Sequence, residues 1–294
     1  MSEREAPILP FTGERYTPES VREIAYEHWH RYAFTLGLAK GRRVLDVACG
    51  EGYGSALLAQ VAQDVVGVDL SDEAITHARS RYAAPNLRFE RSDATALDAF
   101  DAAQFDLIVS FETLEHVQHQ ERMLDGFARL LAPDGLLLIS TPDKRTYTDL
   151  SGQTNPHHVH ELYRDEFEAL LRPRYAHLRI YAQKLLFQSA LWTLDADGGA
   201  TQSLVQSGAH IANGLSYPPL YYVVVCAHSA AALAELPALS LYGDAQESVY
   251  ADYNDEVRRN IAARAHIAAL EAEVAALKRD AVMQPMPPAD QSDD

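Results

Sequence analysis

Apolar and polar positions alternate along this chain in a way that predicts a layered α/β fold. From residue 42 onward, short and nearly continuous apolar runs alternate with segments in which apolar residues recur every three or four positions. Runs of the first kind are typical of buried strands, and segments of the second kind favour helices. The apolar runs lie at 44–47, 64–69, 87–91, 107–111 and 136–140. Their alternation with helices predicts a doubly wound, mostly parallel sheet covered on both faces.

Two further β-rich runs follow this parallel part. They cover roughly 177–189 and 219–228, and the sequence between them contains glycine and serine. We expect the two runs to pair as an antiparallel hairpin at the end of the sheet. Residues 190–217 carry no recognisable motif and are interpreted as an insertion.

The two ends of the chain differ from its central part in their pattern of residues. Prolines and a glycine punctuate residues 1–18, and a helical pattern covers Glu19–Leu38. This helix is either an ordinary cover for the sheet or, with the arm before it, a lid over a ligand. The expected domains are an arm and lid helix over 1–40, the sheet domain over 41–230, a helical extension over 231–282 and a disordered acidic tail over 283–294.

Within the helical extension, Ile267, Leu270, Val274 and Leu277 recur at 3-4-3 spacing. This spacing is typical of a coiled-coil seam, through which we expect the chain to form a homo-oligomer. The seam covers barely two heptads. A surface helix that packs on its own domain therefore remains open as an alternative.

The stretch most informative about chemistry begins at Val44 and ends at Ser55. An apolar run ends in Asp46, three glycines follow at every second position from Gly50, and a helical pattern then begins. This order predicts a strand, a tight turn and a helix N-terminus, where a ligand approaches the backbone closely. A dinucleotide fingerprint needs glycine at the position of Ser55, so that pattern fails.

Two acids favour a cationic adenosine ligand over a dinucleotide. Asp46 ends the first strand, where a carboxylate would repel a pyrophosphate but attract a positive charge. Asp69 ends the next strand, placed to hydrogen-bond a ribose diol. Adenosine together with a positive charge describes S-adenosylmethionine (SAM).

With these residues in place, the sequence resembles the class I SAM-dependent methyltransferases. The motif at 46–54, Asp69, the segment 92–94 and the strand at 105–109 fall in family order. The resemblance implies a Rossmann-like, seven-stranded sheet with SAM as cofactor, and it places Asp93 beside the adenine. The implied cofactor-binding residues of this domain are Asp46, Ala48, Gly50, Gly52, Tyr53, Asp69, Leu70, Asp93, Ala94, Phe111 and Glu112.

A narrower resemblance concerns the segments 11–16 and 27–32. They look like the opening of methyltransferases encoded with bacterial surface-polysaccharide enzymes. The methyltransferase part of O-antigen chain-terminating enzymes has a similar opening and a C-terminal coiled coil. That resemblance implies that Tyr16 and Arg31 hold the methionine carboxylate of SAM. No kinase domain lies between the methyltransferase part and the coiled coil here, so the acceptor of those enzymes does not carry over.

Candidate catalytic residues follow the fourth and fifth strands, at the edge where open α/β sheets bind ligands. His116 ends the segment 112–116, and His158 and Glu161 lie in an Asn-Pro-x-His-x-x-Glu pattern at 155–161. Sugar hydroxyls are weak acids, so methyl transfer to them needs a base. We expect His158 to take the proton and Glu161 to orient its ring. The alternative is that His116 is the base, or that these histidines only pin loops.

The charge and composition of the chain restrict the classes of molecule that it is expected to bind. The 294-residue chain carries a net charge of −17, which predicts binding neither to nucleic acid nor to anionic membranes. Cys49 and Cys226 are expected to be free thiols. The first residues lack a signal-peptide pattern, and no apolar run reaches transmembrane length. We therefore expect a cytoplasmic protein. The histidines at 157, 158 and 160 fit no standard zinc spacing, so no metal requirement is expected.

The sequence therefore predicts a SAM-dependent O-methyltransferase that acts on a sugar hydroxyl of a surface polysaccharide, glycolipid or nucleotide-sugar. A methyltransferase for quinones or secondary metabolites is the alternative within this class. A catalytically silent partner subunit is disfavoured because Asp46, Gly50, Gly52 and Asp69 are intact. An NAD-dependent oxidoreductase is disfavoured by Ser55 and Asp46.

Overall fold

A computed structural model describes residues 23–194 and 201–283. Its strands are β1 Arg43–Val47, β2 Asp64–Asp69, β3 Leu87–Arg91, β4 Phe105–Ser110, β5 Leu131–Pro142, β6 His177–Gln183, β7 Leu204–Ser207, β8 His210–Asn213 and β9 Tyr221–Ala227. Seven of them form one sheet in the order β3-β2-β1-β4-β5-β9-β6. The five strands from β3 to β5 pair in parallel, and β9 pairs antiparallel with both β5 and β6. The predicted seven-stranded, mostly parallel sheet and its terminal hairpin are confirmed.

Helices cover both faces of this sheet. They are α1 Glu23–Ala39, α2 Tyr53–Ala59, α3 Asp72–Arg81, α4 Gln120–Leu130 and α5 Arg164–Leu171. Successive residues of one strand point to opposite faces. Leu45 accordingly packs in a core with α4 and α5, whereas Val44 packs in a second core with α1 and α2. The doubly wound arrangement follows from apolar side chains on both sides of the central strands.

Two strand boundaries and one hairpin differ from the prediction. β5 begins at Leu131 rather than at residue 136, because Leu131 pairs with Phe105 before a register shift. The strand β6 ends at Gln183, earlier than the β-rich run that predicted it. The interpreted insertion contains the hairpin β7–β8, which forms its own small sheet.

The chain divides into two compact units, Met1–Tyr242 and Gly243–Asp294. The sheet domain was expected to end at residue 230, but the segment after it belongs to the first unit. Tyr181 donates a hydrogen bond from its hydroxyl to the carbonyl oxygen of Pro237 (2.7 Å), and His30 Nε2 lies 3.0 Å from Ser240 Oγ. The predicted roles of residues 1–18, including Tyr16, and of the tail beyond residue 283 lie outside the described residues.

The second unit is dominated by one helix, α6 Ser248–Met283. Its 36 residues give a length of about 54 Å. The four seam residues at 267, 270, 274 and 277 are between 45% and 61% exposed. The predicted C-terminal helix is confirmed, and its pairing as a coiled coil stays a prediction.

Two further observations concern the whole described chain. Both cysteines, Cys49 and Cys226, are buried and free, and burial raises the pKa of each thiol well above its ordinary value. Among the helices at 23–194 and 201–283, none combines the length and the apolar character needed to cross a membrane.

Candidate active site

The glycine turn between β1 and α2 adopts a backbone that few residues tolerate. Gly52 has a φ of +93°, and a Cβ there would lie 2.8 Å from both Ala78 and the ring of Phe89. A Cβ on Gly54 would lie 2.0 Å from the ring of Tyr32. These contacts explain why glycine is needed at both positions.

Asp46 lies beneath this turn rather than at its surface. It is fully buried, and its carboxylate accepts hydrogen bonds from Ser55 Oγ (2.7 Å) and from the hydroxyl of Tyr32 (3.2 Å). Burial raises the pKa of Asp46 to about 6, and the nearby charge of Asp69 adds to the effect. We predicted that Asp46 points into the ligand site. The structure corrects this placement, because the short carboxylate is held by the two hydroxyls behind the turn.

A cleft of about 470 Å³ opens where β1, β2, β3 and β4 end, at the carboxyl edge of the sheet. This volume falls within the usual range of small-molecule sites. Nine of the predicted cofactor residues line it: Ala48, Gly50, Tyr53, Asp69, Leu70, Asp93, Ala94, Phe111 and Glu112. Among the described residues, neither Gly52 nor Asp46 lines the cleft. Gly52 instead lies close to Ala78 and Phe89 within the turn.

Asp69 bridges the two turns that frame the cleft. Its Oδ2 accepts a hydrogen bond from the backbone N–H of Gly50, and its Oδ1 accepts one from Ser71, both at 2.9 Å. An ionised carboxylate has about four acceptor positions, so these two bonds leave capacity for a ligand hydroxyl. Asp69 therefore both fixes the turns and presents an acceptor to the cleft.

Glu112 occupies the opposite wall, where β4 ends. Its φ of +49° is uncommon for a residue with a side chain, and such conformations cluster at functional sites. Its Oε1 accepts a hydrogen bond from Ser140 Oγ (2.5 Å), and Arg31 Nη1 lies 3.7 Å away. Because Ser140 belongs to β5, this contact ties the ends of two neighbouring strands together.

Arg31, which was predicted to hold the methionine carboxylate, lies next to Glu112 but is not among the described residues that line the cleft. It is buried, donates from Nη1 to Oε1 of Gln183 (2.8 Å) and packs over the ring of Tyr221. It lines a second cavity of about 240 Å³ with Phe34 and Ile180, and it is not among the described residues that line the cleft. Its carboxylate-binding role stays a prediction.

Helix α1 contributes residues to the cleft that the sequence pattern did not single out. His28 and Tyr32, one helical turn apart, both line it. Burial, with the charge of Arg31, lowers the pKa of His28 well below its ordinary value, so His28 is neutral at pH 7. The cleft therefore keeps the negative field of its acids, which suits a cationic ligand. The signal available in the sequence was the four-residue spacing of these two polar side chains on one helix face.

Beside the cleft, the loop at 155–162 is fastened to the short turn Leu114–His116 that follows β4. The carbonyl oxygen of Glu115 accepts backbone hydrogen bonds from Val159 (2.8 Å) and His160 (3.0 Å). Gln120 Nε2 donates to the carbonyl oxygens of both Leu114 and His160, each at 2.9 Å. These contacts bring together histidines that lie more than forty positions apart in the chain.

The fastening places His116, His158 and Glu161 in one cluster. The rings of His116 and His158 meet edge to face at 4.9 Å. His158 Nδ1 lies 2.5 Å from Glu161 Oε1, and Thr148 Oγ1 donates to the other oxygen of Glu161 (2.6 Å). Of the two histidines, His116 lines the cleft, and His158 contacts the His116 ring without being among the lining residues.

Glu115 completes this cluster and was not predicted as a site residue. Its carboxylate is buried, accepts a hydrogen bond from Thr141 Oγ1 (3.1 Å) and lies 3.9 Å from His116 Nε2. Burial, together with the charge of Glu112, raises the pKa of Glu115 well above its ordinary value. The sequence signal was an acid three positions after Glu112 and directly before His116, but only the fold shows that this side chain points inward.

Comparison with known proteins shows which family this chain belongs to. A family model described as a methyltransferase domain matches residues 20–188. A probable SAM-dependent methyltransferase of Mycobacterium tuberculosis is 36% identical over 167 residues, which cover 56% of this chain and 60% of the relative. The ubiquinone biosynthesis O-methyltransferase of Psychrobacter arcticus is 39% identical over 116 residues, 38% of this chain and 45% of that protein. The chain thus spans less than two thirds of the length of these relatives.

Solved structures add the fold alone. A SAM-dependent methyltransferase from Thermotoga maritima, described as a possible histamine N-methyltransferase, superposes with a TM-score of 0.50 at 17% identity. The superposition covers 69% of this chain and 90% of that one. The family match extends over more than half of the chain and includes the glycine turn, Asp69 and Glu112. This chain belongs to the methyltransferase-domain family.

Proposed function

We propose that this protein transfers the methyl group of SAM to a hydroxyl group, most readily that of a sugar in a surface polysaccharide, glycolipid or nucleotide-sugar. The observation that carries the proposal is the pair His158–Glu161, held at 2.5 Å beside the cleft wall formed by His116. A histidine oriented by a carboxylate is the arrangement that enzymes use to remove a proton from a hydroxyl.

The described residues fit the cofactor. Asp69 presents an acceptor to a ribose diol, and the turn at Gly50 offers a backbone without side chains. Glu112 and the neutral His28 keep the cleft favourable for a positive charge. SAM, when bound, supplies a methyl group that its sulfonium has already activated. The protein must then align the acceptor and accept its proton.

We call the cluster of Glu115, His116, His158 and Glu161 the acceptor side of the site. Its surroundings are rich in hydroxyls and carboxylates. Thr141, Tyr147 and Thr148 stand near Glu115 and His158, and Tyr147 stacks on the His158 ring at 5.3 Å. Polar, hydrogen-bonding surroundings favour a hydroxyl-rich acceptor, because a site built to hydrogen-bond a substrate rejects analogues that lack those groups. This polarity supports a sugar. The resemblance of the opening segments to surface-polysaccharide methyltransferases supports the same choice.

One observation favours the alternative of a quinone or other small-molecule acceptor. Relatives with 39% identity over the central part of the chain are named ubiquinone biosynthesis O-methyltransferases. Both candidates share a hydroxyl as acceptor. Transfer of a labelled methyl group to nucleotide-sugars, oligosaccharides and catechols would separate them. Labelled sugar products support the first candidate, and labelling of catechols alone supports the second.

The role of His158 can be tested by substitution. General base catalysis is typically worth about 10² to 10⁴ in rate, so His158→Ala should lower turnover by that factor while SAM affinity stays within about twofold. His160→Ala is the matched control, since His160 lies in the same loop and is exposed. It should keep full turnover.

His116→Ala separates the two histidines, because His116 lines the cleft. We expect it to lower turnover less than His158→Ala does. Near-full turnover in His158→Ala together with a large loss in His116→Ala would exchange the two roles.

We also propose that α6 joins two copies of the chain. Its exposed apolar seam, including Leu270 and Val274, is the kind of surface that a second helix covers. Leu270→Glu should convert an oligomer into a monomer in light scattering, because it places a charge in the seam. Ala272→Glu, on the opposite side of the same helix, is the control and should leave the mass unchanged. A full-length monomer, or a Leu270→Glu protein of unchanged mass, refutes this proposal.

A further inference from the structure

A further groove, of about 710 Å³, lies between the residues that follow β5 and the helix α5. Three arginines line it, Arg145, Arg164 and Arg172, and none of the three is among the described residues that line the cofactor cleft. The volume falls within the usual range of small-molecule sites. In a chain with a net charge of −17, three guanidinium groups at one groove point to an anionic ligand.

Two acids of the groove are occupied by donors of the protein itself. Glu168 Oε1 accepts a hydrogen bond from Arg164 Nε (2.9 Å), and its Oε2 accepts one from Arg172 Nη2 (2.6 Å). Asp143 is buried and accepts a hydrogen bond from Thr146 Oγ1 (3.1 Å). Glu168 therefore holds two guanidinium groups in place, and neither acid is left as an open acceptor that repels an anion.

The guanidinium groups keep donors for a ligand. Each guanidinium carries five N–H donors, and the side chains of Arg164 and Arg172 are 63% and 59% exposed. Within the described chain, the guanidinium of Arg145 has no hydrogen bond or ion pair of its own. The remaining acid, Asp165, lies in the first turn of α5, where the helix dipole stabilises a negative charge.

Two of the guanidinium groups converge on Tyr222, a buried residue of β9 that lines the groove. Burial, with the charge of Asp143, raises the pKa of Tyr222 to about 12, whereas the charges of Arg164 and Arg145 act in the opposite direction. The hydroxyl therefore keeps its proton at neutral pH and lies close enough to both cations to be affected by them. Cations from two separate segments of chain thus meet over one floor.

The groove is connected to the acceptor side through a short piece of chain. Arg145 begins a helical turn whose Tyr147 stacks on the His158 ring at 5.3 Å. The Cα atoms of Arg145 and Tyr147 can lie at most about 7 Å apart, because two residues separate them. The backbone N–H of Lys144 donates to the carbonyl oxygen of Leu162 (3.1 Å), at the end of the loop that carries His158. A ligand in the groove is therefore held beside the acceptor side.

We propose that this groove binds a phosphate or pyrophosphate group of the acceptor, with Arg145 as its principal contact. The inference deepens the proposed function and rests on it, since it selects a phosphate-bearing sugar, such as a nucleotide-sugar, among the possible acceptors. Phosphate oxygens match the planar fork of a guanidinium and accept two parallel hydrogen bonds from it. A phosphate fixed in the groove orients the rest of the acceptor toward the acceptor side.

Binding can be measured without turnover. Inorganic pyrophosphate and UDP-glucose are titrated by calorimetry into the full-length protein saturated with S-adenosylhomocysteine, which fills the cofactor cleft and carries no methyl group to transfer. Both probes should bind, and more weakly as salt rises, whereas glucose should not bind. Arg145→Ala should weaken both probes at least tenfold. Arg145→Lys should weaken them less, because lysine keeps the charge but loses the fork.

Arg88→Ala is the matched control. Arg88 lies on β3, at the opposite end of the sheet order, and its removal takes away the same charge. It should bind both probes as the unchanged protein does. The inference is overturned if neither probe binds, or if Arg145→Ala binds both as tightly as the unchanged protein. Binding of pyrophosphate without UDP-glucose, or of glucuronate in place of pyrophosphate, also overturns it.

Kinetics separate this inference from the proposed function. With a nucleotide-sugar as acceptor, Arg145→Ala should raise the KM for the acceptor at least tenfold and leave kcat within about twofold, because the contact is made equally before and during transfer. If both probes bind through Arg145 but no sugar is methylated, the phosphate site stands and the proposed function fails. If neutral oligosaccharides are methylated and Arg145→Ala leaves their KM and the binding of both probes unchanged, the proposed function stands and this inference fails.

Discussion

The cofactor side of the site, around Gly50 and Asp69, and the acceptor side, around His116 and His158, lie at the same sheet edge but are built in different ways. On the cofactor side, Asp69 accepts backbone hydrogen bonds from Gly50 and from Ser71, two positions away. On the acceptor side, side chains meet across long stretches of chain, as where His116 contacts the backbone of His157. The residues of the first arrangement belong to short motifs that are continuous in the sequence. The second exists only once a distant loop has been fastened to Glu115.

Both sides bury a carboxylate, but the surrounding residues support the two carboxylates differently. Asp46 receives hydrogen bonds from Ser55 and Tyr32, so its charge is partly supported within the protein. Glu115 receives one from Thr141, and the charge of Glu112 raises its pKa further. The charge of Asp46 is thus supported by two hydroxyl donors, whereas Thr141 is the side-chain donor to Glu115.

The glycine turn should give the largest effect on stability. The methyl group in Gly54→Ala would lie 2.0 Å from the ring of Tyr32, so the turn or the helix α1 must shift. We expect the free energy of unfolding to fall by about 3 kcal/mol, at the upper end of the usual cost of overpacking. Chemical denaturation measures it.

Gly126→Ala is the matched control. Gly126 lies inside α4, and no heavy atom stands within 4 Å of an added Cβ. Alanine is the better helix former, so this change should raise the free energy of unfolding by about 0.5–1 kcal/mol. Equal effects of the two substitutions would show that close packing against Tyr32 is not what requires glycine at 54.

The buried acid of the cofactor side predicts a pH dependence. The folded-state pKa of Asp46 is about 6, above its ordinary value of 3.8. A raised pKa means that the folded state binds the proton more tightly, so this contribution to stability is complete below pH 3.8 and is lost as the pH rises through 6. Between pH 5 and 7.5, Asp46 alone should lower the free energy of unfolding by about 1.4 kcal/mol.

Asp46→Asn isolates this contribution from other titrating groups. Its free energy of unfolding, measured against the unchanged protein without SAM, should gain about 1.4 kcal/mol relative to it over the same pH range. Parallel pH profiles for the two proteins would contradict the assignment of a raised pKa to Asp46.

The sequence predicted the fold better than the site. Apolar runs located the central strands, because a strand covered on both faces must be apolar throughout, as Leu107–Val109 shows. The glycine turn and Asp69 were found for a similar reason, since the local backbone conformation dictates residue type. The hairpin β7–β8 was missed because its exposed side chains carry no buried periodicity.

The sequence did not predict the acceptor side as one cluster, because its residues come together only through tertiary contacts. His158 and Glu161 were found from one local pattern and His116 from another, but nothing in either pattern places Glu115 between them. Asp46 was misplaced for the opposite reason. Its position at a strand end suggested an exposed carboxylate, and only the packing of Tyr32 and Ser55 shows why it is buried.

The central claim is that the cleft beside the glycine turn binds SAM through Asp69. Calorimetric titration of SAM into the unchanged protein and into Asp69→Ala tests it most directly, with Asp134→Ala, an exposed acid outside the cleft, as control. Hydrogen bonds to an ionised carboxylate contribute about 1.5–3 kcal/mol each, so Asp69→Ala should bind SAM at least tenfold more weakly while remaining folded. The control should bind normally, and NADH should give no binding heat with any of the three. Unchanged SAM affinity in a folded Asp69→Ala protein would contradict the account.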